Sequence, residues 1–89
     1  MIDATPTLEL VNHLNSMKGE LAEAWTKVKK INRDLAEDIA IVGNAINDEL
    51  LQYECTEKIN VNAYRTIETR TKLLTAQAAK IAAKHSQPT

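Results

Sequence analysis

Eighty-nine residues with a net charge of −1, two glycines, two prolines and no phenylalanine describe one small domain with an aliphatic core, because a chain of this length encloses little apolar volume. The near-neutral charge weighs against sequence-independent binding to duplex nucleic acid, which depends on many basic residues meeting phosphates. The single cysteine, Cys55, excludes an internal disulfide and fits a reducing cytoplasm; no apolar run approaches a membrane span, and the first residues lack the charged and apolar regions of a signal peptide.

In chain order, residues 1–5 read as a short arm and 6–18 as a first helix. Thr5 offers a capping hydroxyl, and Pro6 suits the first helical position, where a missing N–H loses no bond. Gly19 marks a bend or break, since glycine inside a helix costs about 1 kcal/mol relative to alanine. A longer helix follows over 19–53. Within it Asn32-Arg33-Asp34 and Gly43-Asn44 are soft points, and Asp34 with Glu37 has the spacing of a capping box. A straight rod from residue 6 to 53 would reach ~70 Å without a partner of equal length. The long helix is therefore expected to kink or fold back at one of these points. The Thr- and Asn-containing stretch from Cys55 to Asn62 interrupts the pattern, a last helix covers 58–84, and 85–89 form a tail.

Two apolar stripes run through these elements. Leu14, Leu21, Val28, Leu35 and Val42 recur every seven residues. Each is followed three or four residues later by a second position, filled by Met17, Ala24 or Trp25, Ile31, Ile39, and Ala45 or Ile46. In the last helix Tyr64, Ile67, Thr71, Leu74, Ala78 and Ile81 share one face. A helix with such a stripe must bury it against another helix. The expected fold class is all-α, with two or three helices including a long kinked central one, packed as in a coiled coil and assembled into an oligomeric bundle.

Charge falls in blocks. Residues 17–33 carry +3, residues 34–57 carry −7 with no basic residue, and residues from 58 onward carry +5. Blocks of opposite sign suit helices matched to one another within a protomer or between protomers, and the basic segments also suit an anionic ligand.

Arg65, Thr66, Thr69, Arg70, Thr71 and Lys72 are crowded together on the last helix. Arginine presents a fork of donors to phosphate, and threonine hydroxyls add further hydrogen bonds. Thr71 lies on the apolar face itself, and a buried hydroxyl there marks either a register-setting contact or a ligand pocket. Trp25 stands beside Lys18, Lys27, Lys29 and Lys30. It reads as a packing residue or as a platform for a base with lysines meeting phosphate, and Tyr64 allows the same two readings. His13 and His85 have no partner at metal-ligand spacing and read as surface histidines. Cys55 lies near Glu54 and Glu57, which disfavour a thiolate. No phosphate loop, nucleophilic triad or metal motif stands out, so neither catalysis nor a cofactor is expected.

The stretch Leu10-Val11-Asn12-His13-Leu14, followed by Lys18-Gly19-Glu20-Leu21, resembles the leading helix of a family of small phage proteins, the anti-CBASS sponges, which sequester cyclic oligonucleotide signals made by bacterial immune cyclases. The arm Met1-Ile2-Asp3-Ala4 has no counterpart of the tyrosine that the family places before this helix, and Asn15 stands where the family has a basic residue, leaving Lys18 as its substitute. The resemblance implies a compact helical homo-oligomer, dimer-based and up to a hexamer. It would act in the host cytoplasm, bind cyclic dinucleotides between protomers and hold cyclic trinucleotides at a second site.

The function expected is thus non-enzymatic sequestration of a cyclic oligonucleotide. Arg65, Arg70, Lys72 and Lys18 would meet phosphates, Thr66, Thr69 and Thr71 would add hydrogen bonds, and Trp25 or Tyr64 would stack on a base. The alternative is a helical adaptor or inhibitor that packs on a partner protein and has no nucleotide ligand.

Overall fold

The computed structural model describes residues 4–86. Three helices of near-equal length fill them: α1, Ala4–Val28; α2, Arg33–Thr56; and α3, Val61–Ser86. The connections are so short that successive helices run antiparallel, which closes an all-α three-helix bundle.

The position of the first break differs from the expectation of a helix over 6–18 followed by a long one over 19–53. α1 begins at Ala4, upstream of Thr5-Pro6, and continues through Gly19 to Val28. Gly19 is exposed, and a methyl group placed on it would meet nothing within 4 Å. Its helix penalty is therefore a modest local cost, offset by burial of Leu14, Met17, Leu21 and Ala24 on either side. The chain reverses at Asn32, one of the three soft points, and Gly43 lies inside α2 without a break. Residues 1–3 of the expected arm and 87–89 of the expected tail lie outside the described residues, while His85 and Ser86 belong to α3.

Hydrogen bonding explains why Asn32 wins. The last turn of α1 closes through Ile31 and Asn32, both donating N–H to Val28 O at 2.9 and 2.8 Å. Asn32 itself is extended (φ −142°, ψ 95°), and its Oδ1 accepts from Leu35 N at 3.0 Å. An asparagine in this role satisfies one of the free amides of the next helix and contributes about 1 kcal/mol. Asp34 is not the cap; it sits in the first turn of α2, where a carboxylate interacts favourably with the helix dipole. At the other end Glu57 adopts a left-handed conformation (φ 61°, ψ 24°), donating its N–H to Tyr53 O at 2.6 Å. Asn60 begins α3 as a cap, its Oδ1 accepting from Ala63 N at 3.0 Å. Its own N–H reaches Glu49 Oε1 at 3.3 Å and ties the turn to α2.

Most of the core is the one the apolar spacing describes; Ile31 is only partly buried, and Ala36 is buried without belonging to either stripe. Leu14, Leu21, Val28, Leu35 and Val42 are all buried, as are Met17, Ala24, Ile39 and Ile46. From α3 come Tyr64, Ile67, Thr71, Leu74 and Ala78, with Ile81 packed at the edge. Where two neighbours competed for a core position, Ala24 and Ile46 are inside; Trp25 is 40% exposed. α1 packs closely on both other helices, and α2 and α3 touch each other least.

Candidate ligand groove

The nine residues singled out for ligand binding fall into three places. Tyr64 and Thr71 are in the core. Arg65, Thr66, Thr69 and Arg70 line one shallow depression on the outer side of α3, where Thr66 Oγ1 donates to Asn62 O of its own helix at 3.1 Å. Lys72 is exposed outside that depression. Lys18 and Trp25 lie apart from all of these, on α1, and they share one groove between α1 and α2.

That groove has a built character. Its floor is apolar and shallow because the residues there are small: Ala22 from α1, Ala40 and Gly43 from α2, above Leu21 and Ile39. Its walls carry neutral amides and a hydroxyl, Asn44, Asn47 and Thr26, with Lys18 as the cation. Its volume is about 420 Å³, within the range of small-molecule sites. The groove continues along α1 and α2 into a second depression that shares Lys18 and Asn47 and adds Asn15, Leu51 and Glu54. Lys29 Nζ lies 4.8 Å from the centre of the Trp25 ring, a cation–π contact at the groove's edge. An indole ring, an ammonium group and several amides around an apolar floor can stack a base, meet a phosphate and read the polar edge of a heterocycle.

Thr71 is the one buried side chain whose polar atom, Oγ1, lacks a hydrogen-bond partner among the described residues; it is 1% exposed. Its side chain lies in the core between the helices, although further along the same seam Ala78 and Ile81 each line a surface depression. A buried hydroxyl left unpaired costs about 1–3 kcal/mol. Thr71→Val, which keeps the branched shape, is expected to raise the melting temperature, with a gain of about 1–2 kcal/mol; a valine variant that melts lower would show the hydroxyl to be partnered.

No family model, curated protein or solved structure matches this chain. The reading of the site therefore rests on the chemistry of its own residues.

One contact was not legible from spacing. His13 of α1 is half-buried against Tyr64 of α3, and its Nδ1 shares a hydrogen bond with the tyrosine hydroxyl. The rings are 5.8 Å apart at 58°, and Glu68 Oε2 comes to 3.7 Å of the same nitrogen. Burial, and then the charge of Glu68, push the Tyr64 phenol above its ordinary value of 10.0. His13 thus departs from the expected surface histidine. The only sequence signal was its position one residue before Leu14, on the edge of the buried stripe. Among the described residues no group of histidine, cysteine and carboxylate side chains is placed to hold a metal ion, and no helix is long and apolar enough to cross a membrane.

Proposed function

We propose that this chain is a non-catalytic binder of a nucleotide-class anion, of the cyclic oligonucleotide kind that the resemblance implies, and that the α1/α2 groove is its principal site. The observation that carries the reading is the meeting of Lys18 and Trp25 in one groove with Asn44 and Asn47. Trp25 stacks on a base, Lys18 and Lys29 meet phosphates, and the asparagines pair with the base edge. Holding a cyclic di- or trinucleotide against the Arg65–Arg70 surface as well takes more than one copy, so the homo-oligomer expected from the sequence, dimer-based or hexameric, belongs to this reading. Withholding a signal in the cytoplasm needs affinity and abundance, and no reactive group.

Calorimetric titration with 3′,3′-cyclic GMP-AMP tests it. Saturable binding is expected, with Trp25→Ala weakening it about 5- to 150-fold, since loss of one base–aromatic stack costs about 1–3 kcal/mol. Heat-silent titrations with both cyclic di- and trinucleotides would overturn the reading.

A second reading, a helical module that docks a partner protein, is favoured by Leu51, which is 60% exposed in the second depression that continues this groove. There the groove would take the apolar face of a helix, and Leu51→Lys would abolish partner capture while nucleotides leave the melting temperature unchanged.

A further inference from the structure

The charge blocks form no ion pairs with one another among the described residues. Among the described residues no lysine or arginine comes within 4 Å of a carboxylate, and the one ion-pair contact is His13 with Glu68. Where the charges lie is informative. On α2, Asp34, Asp38, Ile41 and Asp48 follow at steps of four, three and seven residues, so they share one side of the helix. On α3, Arg70, Leu73, Gln77, Lys80 and Lys84 follow at steps of three and four and share one side likewise. All nine are exposed. Each row has one sign of charge around one large apolar side chain, Ile41 at 60% exposure and Leu73 at 57%.

The two rows flank the same face of the bundle. Asp34 and Asp38 of α2 line one cavity with Gln77 and Lys80 of α3. This antiparallel register puts Ile41 level with Leu73 and Asp48 within about one turn of Arg70. This is also the pair of helices that touch least.

We infer that the α2/α3 face binds a second copy of this chain. Two copies laid face to face about a two-fold axis parallel to the helices place α2 of each on α3 of the other, at the same level. Asp34 and Asp38 then oppose the other copy's Lys80 and Lys84, Asp48 opposes its Arg70, and Ile41 meets its Leu73. A two-fold axis across the helices would instead set acid on acid. The charge pattern thus selects one closed, isologous dimer. The inference does not rest on the ligand reading: the α1/α2 groove lies on another side of the bundle and stays open in this dimer, while Arg70 of the α3 depression is engaged by Asp48 of the second copy and is withdrawn from any ligand there.

Sedimentation velocity at low and high salt tests it without ligand. The wild type is expected at twice the 9.9 kDa of one chain at low salt, dissociating as salt rises. Asp48→Arg and Arg70→Asp alone should each weaken association at least tenfold, since like charges then face each other in both halves of the contact. Mixing the two single variants should restore the dimer, because both contacts in the mixed species pair opposite charges; repulsion within either chain is unchanged by mixing, so only an intermolecular contact gives this rescue. Circular dichroism confirms that the exposed substitutions keep the helices. A monomeric wild type, a dimer indifferent to both substitutions, or singles that fail to associate when mixed would each overturn the inference.

Discussion

Leu14→Ala is expected to lower the unfolding free energy by about 2–5 kcal/mol, the range for a buried leucine whose removal leaves a cavity. Leu14 is fully buried, at 0% exposure, and begins the seven-residue series that fills the bundle. Domains of this size have a total stability on the order of 5–10 kcal/mol, so the variant should lose a large share of its cooperativity margin and melt about 10 °C lower or more. Leu8→Ala is the matched control. Leu8 lies less than two turns away on the same helix and is 52% exposed, so the same chemical change there should cost under about 1 kcal/mol. Equal effects at the two positions, measured by thermal unfolding at one protein concentration, would contradict the assignment of the core.

Tyr64→Ala is expected to cost about 3–5 kcal/mol, because it deletes a buried ring, and Tyr64→Phe about 1 kcal/mol, because it deletes only the hydrogen bond to His13. His13→Ala should resemble Tyr64→Phe, and in a double-mutant cycle the two should cost less together than the sum of the singles. The phenol adds a pH signature. Its folded-state pKa lies above 10.0, so the folded chain holds the neutral phenol more firmly than the unfolded chain does. The stabilisation is fully present below pH 10 and is lost as the pH climbs through the raised folded value. The ultraviolet absorbance of tyrosinate should therefore show a late-titrating phenol that Tyr64→Phe removes. A single titration step unchanged in that variant would place Tyr64 in water.

Much of the core was legible in the sequence, since periodicity reports which face of a helix is buried. The same signal is blind to reversal. Val28 and Leu35 keep the seven-residue spacing across a turn in which the chain changes direction, so the series looked like one long helix when it belongs to two. What locates the turn is local chemistry, the amide of Asn32 bonding to Leu35 N; Gly19, the stronger helix breaker by propensity, is overruled by the apolar side chains buried on either side of it. The site was less legible. Arg65, Thr66, Thr69 and Arg70 are neighbours in sequence and on the surface, but Thr71, in the middle of the same crowded stretch, points into the core. Proximity along a helix says nothing about side, which turns by about 100° per residue. Lys18 and Trp25, seven residues apart, do share a side. Their groove is completed by Ala40, Gly43, Asn44 and Asn47, residues more than ten positions further along the chain that no spacing rule connects to them.

Amide chemical-shift mapping of the uniformly labelled protein, titrated with 3′,3′-cyclic GMP-AMP, reports where a ligand sits on the bundle as well as whether it binds. The groove reading predicts saturable shifts concentrated at Lys18, Ala22, Gly43, Asn44, Asn47 and the Trp25 indole N–H, with Thr71 and its core neighbours unmoved. Shifts confined to Arg65–Arg70 of α3, or none anywhere on addition of the nucleotide, would contradict it.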